Sequence, residues 1–397
     1  MMRQWWQAPQ LRLDDDSEAE RRATWLELFY DLVFVVAIAQ LAHKLNEDVS
    51  LFGFFGFVAL FIPVWWSWIG AAFYANRFDT DDVGHRLLTA LQMLAVAALA
   101  LNVHHGLDDS SAGFALSYAV VRTVLVVEYL RAGKHVAVAR SLTKRYARGF
   151  GIAAAIWLVS AFVPVPVRFG LWVVGLLVDF ATPIFAGKLH SQLAPHSAHL
   201  PERFGLFTLI VLGEAIVAVV NSIAEQEWNF SSAISAAFGF GIAFSFWWLY
   251  FDNLDASAIG AARIAGHVKI YQLWLYAHLP LVIGLTATGV GMEHIILSKP
   301  NISLSSAERW LLYGAVTLCF LALSAIHYTT VKSDSVKCSQ RQVNYRLAAA
   351  VVVFVLAVVA TNLLPVVAIG LVAAVCAVQV LLDLYTKRSQ ARAESVT

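Results

Sequence analysis

The sequence predicts an all-α integral membrane protein of about twelve transmembrane helices, arranged as a parallel 6+6 internal duplication. Three observations lead there. Hydrophobic residues make up 59% of the 397 and charged residues only 14%, against about 45–50% and about 25% in soluble domains. The apolar residues fall into twelve runs, each near the roughly 17–25 residues that a helix needs to cross a bilayer. Finally, 23 of the 28 Lys and Arg lie on one side of those runs and four on the other, with Arg122 inside a run. That bias puts both termini in the cytoplasm.

Residues 1–24 lack the apolar core of a cleavable signal and read as a mobile cytoplasmic tail, with Trp5 and Trp6 at headgroup depth. Spans follow at 25–43, 51–73, 86–106, 112–130, 149–166 and 169–187, the first six-helix half (25–187). A cytoplasmic connection, 188–203, leads to spans at 204–222, 232–251, 271–296, 309–328, 345–363 and 365–383. These form the second half, 204–385, and 386–397 is a cytoplasmic tail.

The duplication rests on matches in order. LFYDLVFVVAIAQL from Leu28 parallels LFTLIVLGEAIVAV from Leu206, Trp65-Trp66 parallels Trp247-Trp248, and His104-His105 parallels Glu293-His294. Gly170-Leu171 parallels Gly370-Leu371, so the offset drifts from 178 to 200, as small insertions in connections would produce. Six spans per half make the copies parallel.

Ionisable residues inside apolar spans are costly and mark sites. Glu214, about three turns beyond Glu202 in PERFGLFTLIVLGEAIVAVVN, is the first candidate. Glu27 and Asp31, four apart, share a face of the first span. Asp179 sits near the centre of the sixth span ahead of Pro183, facing a polar cavity or else paired with Arg122. Glu128 reads as a solvated charge. The connection before the seventh span holds His199, Glu202 and Arg203; with Glu214, the first two offer a ligand set for a divalent metal, the one cofactor the sequence suggests. Asp252 closes the eighth span, and His278, followed by Pro280, suits a proton relay or an ordinary packed histidine.

Other chemistries leave no trace. There is no phosphate loop, nucleophile elbow, His-Glu-x-x-His or dinucleotide fingerprint, and no basic arm with interleaved aromatics for nucleic acid. Cys319, Cys338 and Cys376 follow no metal-ligand or disulfide spacing.

The stretches WLELFYDLVFVVAIAQLAH (25–43), HLPERFGLFTLIVLGEAIVAV (199–219), WWLYFD (247–252) and HLPLVIGLTATGVGMEH (278–294) resemble the bacterial low-temperature-requirement protein A family, LtrA. The resemblance spans the chain and places Glu27, Asp31, His199, Glu202, Arg203, Glu214, Asp252, His278 and Glu293 at motif positions. It implies the bacterial cytoplasmic (inner) membrane and a link to growth in the cold, but no biochemical activity.

Two functions fit these residues, beside a structural or sensory membrane protein whose polar residues only lock helices together. One is a proton- or cation-coupled transporter whose halves rock about Asp31, Asp179, Glu214 and His278. The other is an intramembrane enzyme, metal-dependent or not, acting on a lipid or isoprenoid from the cytoplasmic side through His199, Glu202, Glu214, Asp252 and His278. The expected partners are the lipid bilayer and a small-molecule, ion or lipid substrate.

Overall fold

The computed structural model describes residues 5–12, 24–192, 199–224, 230–253, 268–332 and 340–394, except the side chains of 187–192, 199, 268 and 390–394. Among the described residues it contains twelve α-helices and one two-stranded pairing. The helices are α1 (Trp25–Glu47), α2 (Leu51–Arg77), α3 (Val83–Leu101), α4 (Ser111–His135), α5 (Arg140–Ser160) and α6 (Val167–Gln192). They continue with α7 (His199–Ala224), α8 (Phe230–Phe251), α9 (Val268–Leu297), α10 (Ser306–Lys332), α11 (Gln340–Val359) and α12 (Pro365–Glu394).

Local sequence explains where several helices begin. Thr24 accepts the amide of Glu27 to open α1, and Asp82 caps α3 by accepting from His85 N. Ser305 and Glu308 form a reciprocal capping box at the start of α10. Pro365 opens α12, where a missing amide hydrogen costs nothing. Among the described residues, eleven helices are long and apolar enough to cross a membrane. The exception is α5, expected over 149–166: it starts nine residues earlier, on RSLTKRYARG, and stops at Ser160, ahead of Pro164 and Pro166. Its four basic residues in that first stretch break the apolar run. Pro63, Pro183 and Pro280 lie inside helices that continue through them.

The chain divides into two compact units, residues 1–44 with 56–203 and residues 45–55 with 204–397. In the first, α5 packs on both α4 and α6, and α3 packs on α4. In the second, α10 packs on α9 and α11, while α12 packs chiefly on α8. The usual soluble distribution is inverted: Arg77, Arg122, Arg203 and Arg346 are among the largest fully buried side chains, while Phe29, Leu32 and Val36 on α1 and Val351, Phe354, Val355 and Val358 on α11 are exposed. Apolar side chains face outward because the surrounding solvent is hydrocarbon.

The start of the chain departs from the expected mobile tail. Residues 5–12 lie against the ends of α2, α3 and α4. Gln10–Leu11 (β1) pairs antiparallel with Phe78–Asp79 (β2). Gln7 N donates to Asp82, whose carboxylate also takes Arg131 Nη2 at 2.5 Å, and Arg131 reaches the carbonyl of Gln7. Trp6 meets the ring of His135 edge-on. Polar backbone groups near a helix cap gave this segment partners that hydropathy alone does not reveal.

Candidate functional site

In the first unit, α1 presents Glu27 and Asp31 one turn apart, and the first turn of α7 supplies Arg203. Arg203 Nη2 donates to Asp31 Oδ1 at 2.6 Å, and its Nη1 lies 3.3 Å from Glu27 Oε2. Trp68 of α2 donates its indole N–H to the same Asp31 oxygen at 2.9 Å. Arg12, at the rim, is 3.4 Å from both Glu27 and Asp79. Asp31 and Arg203 are almost wholly buried. A charge so placed is tolerated only when paired and hydrogen-bonded.

Beside this network lies a cavity of about 30 Å³, whose lining includes Glu27, Tyr30, Tyr74, His85, Glu128 and Arg203. Since about 10–15 Å³ suffices for one water, it has room for one or two. Its groups come from the ends of α2 and α4 and the starts of α1, α3 and α7, which the alternation of spans brings to one side. Glu128 is here buried, not solvated: α4 runs on to His135, so the residue lies within the helix, where its Oε1 is 3.2 Å from His85 Nδ1. Tyr30 Oη, Asp31 Oδ2 and Arg203 Nε are buried and make no hydrogen bond among the described residues. Buried polar atoms are rarely left so, unless water or a ligand completes them. Three carboxylates, Glu27, Asp31 and Glu128, thus gather around one buried guanidinium and a histidine.

Asp179 takes the paired arrangement. Arg122 Nη2 and Tyr118 Oη each donate to it at 2.6 Å, and both members of the ion pair are fully buried. Gly70 on α2 makes room for Arg122, since a Cβ there would stand 2.8 Å from Nη1, and the guanidinium lies over the Phe150 ring at 4.3 Å.

The second unit holds the remaining candidates in separate places. His278 has both ring nitrogens engaged: Nδ1 lies 2.8 Å from the Trp274 carbonyl and Nε2 3.0 Å from Tyr250 Oη. A carbonyl only accepts, so Nδ1 donates to Trp274, and with Nε2 against the Tyr250 hydroxyl the ring is held on both sides by its neighbours. Asp252 pairs with Lys387 at 2.6 Å. Glu214 is half-buried and feels the charge of Glu293, on a helix held close by Gly289, whose added Cβ would meet Ala215 Cα at 2.9 Å. Glu293 accepts from Asn46 Nδ2 at 2.9 Å.

The suggested metal set does not converge on one ion. The side chain of His199 lies outside the described residues. Glu202 and Glu214 are twelve residues apart on one continuous helix, about 18 Å along its axis.

Sequence reasoning missed a second buried network. Asp383 accepts from Arg346 at 2.5 Å, Asn253 at 2.9 Å and Gln342 at 3.3 Å, while Arg346 also donates to Gln379 at 2.7 Å. Arg346, like Arg203 and Arg77, lies near the end of an apolar run, where a solvated charge is the ordinary reading, yet all three are buried. The cue was present in Asp383, an acid near the end of an otherwise apolar run.

The sequence profile described as "Bacterial low temperature requirement A protein (LtrA)" matches residues 22–382, nearly the whole folded chain. The chain belongs to the LtrA family. It is also 27% identical over 330 residues to the "Uncharacterized protein RA0937" of Rhizobium meliloti (strain 1021), covering 79% of this chain and 80% of that one. Family membership and the eleven membrane-length helices make this LtrA member a multi-pass membrane protein. The matched region contains Glu27, Asp31, Glu128, His85 and Arg203.

Proposed function

We propose that this LtrA protein is a proton- or cation-coupled transporter of the bacterial cytoplasmic membrane, with both termini in the cytoplasm. The observation that carries this reading is the set of carboxylates around the small cavity: Glu27 and Asp31 lie against the buried guanidinium of Arg203, and Glu128 lies against His85. Arg12 at the rim is divided between Glu27 and Asp79. Carboxylates beside a buried, water-sized space are groups on which a proton or a cation can ride. His85 lies 3.2 Å from Glu128, and the Tyr30 hydroxyl, which also lines the cavity, supplies a further donor and acceptor. A space for one or two waters suits a proton or a partly dehydrated ion. It is too small for the headgroup of a lipid or isoprenoid, which is why transport is preferred to intramembrane lipid chemistry.

In the second unit, half-buried Glu214 near Glu293 is a further group able to exchange a proton or a cation. Asp179 and His278 serve the scaffold, because their polar atoms are already engaged by neighbouring side chains or backbone.

The test is charge movement in proteoliposomes on a solid-supported membrane under gradients of H⁺, Na⁺ and K⁺. Wild type gives a current with at least one of the three, and Glu128→Gln and Tyr30→Phe each reduce it about a hundredfold, the lower end of the range for one lost acid–base group. No current under any gradient would sink the transport reading. Metal analysis of protein purified without a histidine tag is the companion measurement; stoichiometric zinc, iron or manganese would favour the intramembrane enzyme.

A further inference from the structure

Between α5 and α6 lies a groove of about 530 Å³ that shares no lining residue with the small cavity described above. One wall is basic. Lys144, Arg145 and Arg148 of α5 line it at positions i, i+1 and i+4, together with Ile152 one turn further on. All three basic side chains are exposed, and none has a carboxylate partner among the described residues. The opposite wall is apolar, formed by Val178 and Phe185, seven residues apart on one face of α6. Ile152 and Phe185 remain 49% and 69% exposed. The floor is closed by a tight contact: a Cβ on Gly149 would collide with Thr182 Oγ1, so the glycine is what lets α6 approach α5 there.

We infer that this groove binds an anionic glycerophospholipid from the cytoplasmic leaflet. Three exposed cations within about one turn of helix form a receptor for a phosphodiester. The apolar wall begins where they end: Lys144 and Ile152 are eight residues apart, about 12 Å along the helix. That is the order of polar headgroup followed by acyl chain in a lipid lying along the protein. A free phosphate would leave the apolar wall and its exposed Phe185 uncovered, whereas an amphiphile covers both parts. The groove also lies at the end of the helices where the connections are rich in Lys and Arg, the side on which anionic lipids attract basic residues. This lipid is a bound neighbour, not the transported cargo.

The experiment uses the full-length protein in nanodiscs containing equal amounts of phosphatidylglycerol and phosphatidylcholine, with retained lipids counted by native mass spectrometry. Wild type retains phosphatidylglycerol over phosphatidylcholine by about fivefold or more, and Lys144→Gln/Arg145→Gln/Arg148→Gln brings the ratio to about one. Arg148→Gln alone gives an intermediate ratio, which keeps the test decisive should the triple variant unfold. Phe185→Ala retains less phosphatidylglycerol although every cation remains. A wild-type ratio near one, or an unchanged ratio in a folded triple variant, overturns the inference. Displacement of the lipid by inorganic phosphate at about 10 mM also overturns it, since the groove would then be a small-anion site.

Discussion

Asp31 and Arg203 stand 172 residues apart in sequence and 2.6 Å apart in space, joining α1 to the first turn of α7. Removing one member of such a pair leaves the other as an uncompensated buried charge, at a cost of about 3–5 kcal/mol. Asp31→Ala is therefore expected to lower the unfolding midpoint in detergent sharply. Asp31→Leu combined with Arg203→Met should recover most of that stability while leaving ion flux abolished. Recovery of both, measured in the same preparation, would show that the pair is only scaffold.

The Tyr118–Asp179–Arg122 triad predicts the opposite division. Tyr118→Phe removes one hydrogen bond to a carboxylate, worth about 1.5–3 kcal/mol, and should lower stability without changing flux per folded molecule. A loss of flux in a fully folded Tyr118→Phe protein would return Asp179 to the transport path.

Two glycines separated by one helix contact provide a matched comparison. Gly289→Val must push against Ala215 Cα, only 2.9 Å from where a Cβ would stand, whereas Gly213 has open space around it. Helices meeting at a small residue do not separate without losing their packing. Gly289→Val should lower the thermal midpoint by several degrees more than Gly213→Val does; equal effects would refute the close-approach argument.

Asp82 should make docking of the N-terminal segment sensitive to acid. Burial pushes its carboxyl up, but the amides of Gln7 and His85 and the guanidinium of Arg131 outweigh this and hold it below the ordinary carboxylate value of 3.8. A depressed folded-state value means that the stabilisation is complete above the unfolded value and is lost as pH falls through the folded one. The segment containing Trp6 should thus stay protected from protease down to about pH 4 and be released below it. Asp82→Asn should be more readily cleaved at neutral pH and show no further change on acidification.

Glu214→Gln keeps size and hydrogen bonding while fixing a neutral amide. It should leave expression and thermal unfolding intact and abolish ion flux, as well as any contribution to growth in the cold. Full activity in the Gln variant would remove Glu214 from the mechanism; failure to fold would make it a structural partner.

Much of the candidate site was legible as residue types without being legible as a site. Glu27, Asp31 and Arg203 stood out because each interrupts an apolar or motif-bearing stretch. His85 and Glu128 did not, since they lie near span ends, where a solvated charge is the ordinary reading. Asp179 offered two readings from sequence, and its partner was already visible in Arg122, the lone arginine inside a run.

By itself, the sequence determined the class of protein, the order and approximate length of the twelve helices, and the side on which the basic residues gather. Those properties follow from hydropathy and charge along the chain, which the bilayer reads locally, segment by segment. Tertiary structure alone decided that Arg203 binds Asp31, that Glu128 faces His85, that Asp383 is held by Arg346, and that residues 5–12 are pinned against Asp82. The physical reason is that helices apolar all round carry no stripe to say which face turns inward. Their rotation, and hence which buried charges meet, is set by side-chain packing between helices far apart in sequence.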